Sequence, residues 1–172
     1  RFDMVGFRWP AAGSSRAKPD ATPVIIEMKA GDGAIVSGRR IDGSGHAMPG
    51  LAKHVYDIET FLAPEADGSA SEPHESLCCE LQCVFDTKRR LGLPGIPKRV
   101  NARGIEILRQ RPEIIFVIAN HNPDSDALRR ELRDLPEQKY ADYYVANVAH
   151  AGYAMFSRSM VPLNEFAKAV GA

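Results

Sequence analysis

Asp3, Glu27 and Lys29 are the residues of this chain best suited to chemistry. Glu27 and Lys29 end the run Val24-Ile25-Ile26-Glu27-Met28-Lys29, which is rich in β-branched residues and closed by Gly31 and Gly33. That pattern predicts a buried strand ending in charge. Residues i and i+2 of a strand share a face, so Glu27 and Lys29 project together with Ile25, while Val24, Ile26 and Met28 take the other face. An acid and an amine at the end of a buried strand must be paired, exposed at its tip, or bound to something. Residues 2–9 alternate loosely and read as a second strand; laid antiparallel beside the first, it brings Asp3 to the same patch. Two carboxylates and an ammonium then converge at a sheet edge, a set suited to metal-assisted phosphodiester hydrolysis. Mg2+ prefers carboxylate oxygens and keeps several waters. Asp3 and Glu27 would hold it, with the Met28 backbone carbonyl as a third protein ligand. The metal would polarise a phosphoryl oxygen and lower the pKa of bound water. Lys29 would position that nucleophile or neutralise charge developing on the phosphate.

The elements that must position these residues follow a mixed α/β pattern. Residues 11–23 are rich in Ala, Ser, Gly and Pro and read as a loop between the two strands. The glycine-rich segment 31–50 reads as loop around a single short strand at 34–36. Apolar residues at 51, 55, 58 and 62 make a helical stripe that opens after Pro49-Gly50. A polar linker at 63–73 leads to a helix over 75–91, broken by Gly92, Pro94 and Pro97. A further helix is expected over 100–111, with Asn101 as its cap and Pro112 as its stop. Residues 114–119 are the most apolar run and suit a central strand. A helix follows from 123 to 135, its early acids placed where the helix dipole favours them. Residues 143–148 and 153–156 read as a hairpin about Ala151-Gly152, and 162–170 as a final helix. The order suggests one mixed sheet with helices on both faces.

The segments 1–5 and 24–29 resemble the PD-(D/E)xK nuclease superfamily, the restriction-endonuclease-like fold. Its signature is an Asp at the start of one strand and (D/E)-x-K ending the next in apolar surroundings. Asp3 matches the first acid, Glu27 the second and Lys29 the lysine, and the strand at 114–119 matches a later core strand. The resemblance implies a restriction-endonuclease-like α/β core, dependence on Mg2+ (with Mn2+ able to substitute), and cleavage of DNA or, less often, RNA. It further implies an endonuclease rather than an exonuclease, dimers in many relatives, and roles in bacterial defence or DNA repair. Some branches carry a polar residue, often Gln, on the helix after E-x-K. His54 flanks the apolar stripe of 51–62 and is an imperfect match to it; it could contact a phosphate or a metal-bound water, or sit inert at the boundary. Many members also supply an acid from a helix before the first motif strand. Here that helix would lie upstream of Arg1, and the chain reads as one 172-residue domain beginning inside a strand, with a helical insertion at 63–111. Two other readings stay open: a non-catalytic nucleic-acid-binding or scaffolding domain that keeps this fold, and a plain Glu27–Lys29 salt bridge on an edge strand of an unrelated protein.

Local charge bears on partners. Lys+Arg and Asp+Glu both total 22, so the net charge is uninformative. Yet residues 51–87 hold one Lys and eight acids, and residues 88–111 hold eight Lys/Arg and one Glu. Lys88, Arg89, Arg90, Lys98 and Arg99, with the earlier pair Arg39 and Arg40, are the candidate contacts to a nucleic-acid backbone. The same residues could equally form a solvated face paired with the acidic segment. Cys78, Cys79 and Cys83 are odd in number and badly spaced for a disulfide framework, which points to a reducing cytoplasm. His74 and these cysteines lack the paired spacing of a zinc site. Gly31-Asp32-Gly33 falls short of a dinucleotide loop because Val36 stands where the third glycine belongs. His121, after the central strand, could approach the site or belong to an ordinary polar loop. Tyr140, Tyr143 and Tyr144 read as packing residues. No apolar run approaches the roughly 18 residues of a membrane-spanning helix, so no membrane partner is expected.

Overall fold

A computed structural model of the chain describes residues 2–8, 19–36, 50–96, 98–119, 121–122, 124–133, 135, 143–147 and 160–172. In chain order these residues form β1 (Met4–Arg8), β2 (Asp20–Ala30), α1 (Asp32–Ile35), α2 (Leu51–Phe61), α3 (Glu72–Arg90), α4 (Lys98–Arg103), β3 (Glu106–Ile107), β4 (Glu113–Ala119), α5 (Asp126–Arg133), β5 (Tyr143–Asn147), β6 (Met160–Pro162) and α6 (Leu163–Ala169). The strands make one mixed sheet in the order β1-β2-β4-β5-β6, with β3 beside β2 off that path. β2 and β3 run parallel, as do β4 and β5, while β5 and β6 are antiparallel. The chain is thus α/β with a mixed sheet, as its pattern suggests. Contacts divide it into two compact units, one of Arg1–Met4, Ile26–Thr60 and Glu113–Ala172, the other of Val5–Ile25 and Phe61–Pro112.

The first unit is organised on β4. Residues 114–118 are all buried, so both faces of the strand are covered, which is what a continuous apolar run demands. In the register of β4 with β5, Phe116 lies opposite Val145. The Phe116 and Tyr143 rings stack with centroids 5.7 Å apart. α1 packs on α5, and α6 on β5, β6 and α5. Gly31 joins β2 to α1, and its N–H donates to the Ala119 carbonyl at 2.8 Å, tying the end of β2 to the end of β4. Its φ of 74° and ψ of 162° belong to a region that only glycine occupies without strain. Gly31→Ala is therefore expected to lower stability by about 1–3 kcal/mol, read as a reduced urea midpoint at unchanged slope.

The second unit is built around α3. Ser71 caps it by accepting from the His74 N–H, acids occupy the first turn, and Lys88, Arg89 and Arg90 the last, all favourable to the helix dipole. Cys78, Phe85, Ala21, Val100, Ile105 and Ile107 form its core. Gln82 ties the helix to β3, donating to the Ile105 carbonyl and accepting from the Ile107 N–H.

Two local expectations are corrected. Residues 34–36 are not a strand: Asp32–Ile35 form the short helix α1, because Gly31 turns the chain out of the sheet. The helix expected over 100–111 covers only Lys98–Arg103. Gly104, at a φ of 73°, ends it, and Glu106 and Ile107 pair with Asp20 and Ala21 as a strand. β5 pairs antiparallel with β6, and the expected strand at 153–156 and its turn at 151–152 lie outside the described residues.

Candidate active site

At the end of β2 the usual alternation is inverted. Glu27 and Lys29 are 2% and 5% exposed, whereas the apolar Met28 between them is 53% exposed. Charged groups face inward here, and the packing must therefore supply their partners. Lys29 Nζ lies 2.9 Å from Glu27 Oε1. His54 Nδ1 reaches the same oxygen at 3.0 Å. A carboxylate only accepts, so Nδ1 carries the hydrogen and Nε2 of a neutral His54 presents its lone pair. The other carboxylate oxygen, Oε2, is buried and has no hydrogen-bond partner among the described residues.

Asp3 completes the set. Its Oδ2 accepts the backbone N–H of Met28 at 2.8 Å, which seats an exposed carboxylate beside the residue next to Glu27. Its negative charge also acts on His54. β2 lies between β1 and β4 and is not an edge strand. The Glu27–Lys29 pair is therefore not on an edge strand, as one of the open readings had it.

His54 comes from α2, where Leu51, Val55 and Ile58 are the buried face and His54 stands beside it. Two carboxylates fix this helix. Buried Glu131 of α5 accepts the Ala52 N–H at 2.9 Å, at the orphan-donor end of α2. Glu59 accepts from the buried Tyr143 hydroxyl at 2.6 Å. Asp32 does similar work at the strand ends, its Oδ1 accepting the Asn122 N–H. Sequence reasoning passed over Glu131, Asp32 and Glu59. A signal for Glu131 exists: at 128, 131, 132 and 135 an acid stands on an otherwise leucine stripe.

His121 follows β4, its ring edge-on to Phe166 and its Nδ1 buried without a partner. Among the described residues no hydrogen bond or ion pair joins it to Glu27. Arg39 and Arg40 lie outside the described residues, as does the side chain of Arg99. Lys88, Arg89, Arg90 and Lys98 belong to the second unit. Arg89 pairs loosely with Asp86 and donates to the Asn101 carbonyl. Buried Cys78 and exposed Cys79 and Cys83 are free thiols. Among the described residues no cluster of three His, Cys, Asp or Glu side chains is placed to hold a metal ion. The donors at the end of β2 fit instead the sparse coordination of Mg2+, which needs one or two carboxylates and retains its waters. The partnerless Glu27 Oε2 is the observation that makes the fit.

Burial holds the His54 imidazole below its ordinary pKa of 6.5; the Lys29 charge pushes the same way, against Glu27, Asp57 and Asp3. Burial likewise lowers His74. The unfolded chain then binds protons first as pH falls. This stability is fully present above about pH 6.5 and is lost as pH falls through the folded values. Urea midpoints are expected to fall between pH 7.5 and 5.5, above the main carboxylate range, with a smaller fall in His74→Gln.

No family model matches the chain, and neither a curated protein nor a solved structure is similar to it.

Proposed function

We propose that this chain is a Mg2+-dependent nuclease that hydrolyses phosphodiester bonds, DNA being the preferred substrate over RNA. One observation carries the reading: a buried carboxylate whose one oxygen takes two donors and whose other has none among the described residues, with a second carboxylate, Asp3, held by the backbone N–H of the adjoining Met28. A structural ion pair has no need of a vacant buried oxygen. It is the oxygen a hard cation would satisfy.

Glu27 Oε2 and Asp3 would hold the ion, with the Met28 carbonyl as a third protein ligand. When bound, the ion supplies Lewis-acid polarisation of a phosphoryl oxygen and a more acidic water. The remaining roles belong to the chain. Lys29 and His54 both bind Oε1, so they orient the Glu27 carboxylate and direct Oε2 away from themselves. Lys29 adds positive charge where charge develops on the phosphate. His54, held neutral with Nε2 as acceptor, can take a proton or a hydrogen bond from a water or a substrate oxygen. The PD-(D/E)xK resemblance supports the same roles for Asp3, Glu27 and Lys29.

The non-catalytic reading draws on one fact, that Glu27 and Lys29 already satisfy one another. Incubation of the chain with plasmid, linear duplex, single-stranded DNA and RNA, in Mg2+, Mn2+ or EDTA, separates the two. Metal-dependent cleavage is expected; binding without cleavage would overturn the catalytic reading in favour of a nucleic-acid-binding domain.

A further inference from the structure

The turn between α3 and α4 presents an unusual surface. Leu91 is 67% exposed and Leu93 44% exposed. Single surface leucines are ordinary; two on one short turn among cations are not. Residues 87–105 contain six Lys/Arg and no acid. Lys88 and Lys98 are exposed and make no ion pair among the described residues.

The backbone holds this turn in one shape. Gly92, at a φ of 64°, donates to the Arg89 carbonyl, and Leu93 donates to the Lys88 carbonyl. These are the two bonds of a Schellman motif, in which the residue in the place of Leu93 commonly packs on an apolar side chain in the place of Lys88. Here that partner is a cation, and Leu93 stays in water. Ile96, three residues on, packs against the core of the second unit. The turn is anchored by one apolar residue and displays two others.

We propose that this turn is a wedge for duplex DNA: Leu91 and Leu93 enter the minor groove and unstack a base step, while Lys88, Arg90 and Lys98 hold the flanking phosphates. Apolar wedges flanked by cations are how proteins kink duplexes from the minor groove. The cationic surroundings select a polyanion. Residues 87–105 contain no aromatic residue, whereas recognition of single strands and unpaired RNA depends on aromatic stacking. The proposal deepens the nucleic-acid reading above by naming a distorted duplex as the bound form, and it does not depend on cleavage.

The test uses the full chain in EDTA and a duplex of about 20 base pairs carrying 2-aminopurine beside a central TA step, which unstacks readily. A several-fold rise in fluorescence is expected on saturation. Leu91→Ala/Leu93→Ala, both at exposed positions, should abolish the rise and leave the dependence of affinity on salt unchanged. Lys88→Ala/Arg90→Ala/Lys98→Ala should weaken binding at least about tenfold and flatten the log–log salt slope by about 2–3. Lack of a rise in the wild type, or a rise unaffected by the leucine variant, would overturn the wedge. Tight binding to vesicles of phosphatidylglycerol and phosphatidylcholine, or preference for single strands or RNA over duplex, would also overturn it. Glu27→Gln separates the two claims: with Mg2+ it should keep the fluorescence rise. A wild type that shows the rise and never cuts defeats the nuclease and leaves the wedge standing; one that cuts while the leucines are dispensable does the reverse.

Discussion

Glu27→Gln is expected to reduce metal-dependent cleavage by at least about 10³-fold, some 4 kcal/mol of barrier. The amide retains an oxygen for Lys29 and His54 but loses the charge that the buried Oε2 would offer a cation. Lys29→Met should cost a similar order if the ammonium meets charge developing on the phosphate. Stability should not follow activity. Each single variant removes one charge of a buried pair, because Lys29 and Glu27 lie 2.9 Å apart in an enclosed setting. Breaking such a pair by one side is strongly destabilising, by about 3–5 kcal/mol when the partner is left fully unpaired. Gln is milder, since it still accepts. Replacing both charges with neutral residues of similar volume is often neutral or stabilising. The double variant Glu27→Gln/Lys29→Met should therefore recover much of the urea midpoint lost in Lys29→Met and recover no cleavage. A structural pair predicts the opposite separation: folding would be the only property to move. Plasmid nicking with Mg2+, read beside urea titrations of the same four proteins, decides between them.

What could be read in advance from this site depended on the range over which its parts interact. Glu27 and Lys29 share a face because a strand repeats every two residues, and six letters of sequence are enough to state it. Their burial is another matter. It depends on β2 having β1 on one side and β4 on the other, and the lone apolar residue between them, Met28, points to water. His54 could be placed beside the buried stripe of α2 from helical periodicity alone. Its contact with Glu27 joins residues 27 positions apart and requires the docking of a helix on a strand. The errors have equally local causes. Gly104 and Gly31 each stop one element and begin another by taking positive φ, whereas the sequence pattern leaves Gly31 in a loop and Gly104 inside a helix over 100–111. β3 has two residues and exists through its pairing with Asp20 and Ala21, a partner no window of sequence contains.

Glu131→Ala is expected to destabilise the fold by about 2–4 kcal/mol. The side chain is buried on the face of α5 that also carries Leu128 and Leu132, where an acid would ordinarily be excluded. It is tolerated because its Oε1 accepts the Ala52 N–H, one of the donors that the first turn of α2 cannot satisfy internally. The helix dipole adds favourable charge at the same end. Removing the side chain beyond Cβ loses a hydrogen bond to a charged group, about 1.5–3 kcal/mol, and about 0.8 kcal/mol from the one buried methylene that alanine lacks. Glu131→Gln keeps the acceptor and most of the volume and should cost only about 1 kcal/mol. The site should register the same change. Ala52 stands two residues before His54, so loosening the first turn of α2 loosens the ring that meets Glu27. Cleavage by Glu131→Ala, measured well below its unfolding midpoint, should then fall while Glu131→Gln stays near the wild type. Equal activity in both variants at matched stability would confine Glu131 to folding and leave His54 held by the buried Leu51, Val55 and Ile58 and by the Glu59–Tyr143 hydrogen bond.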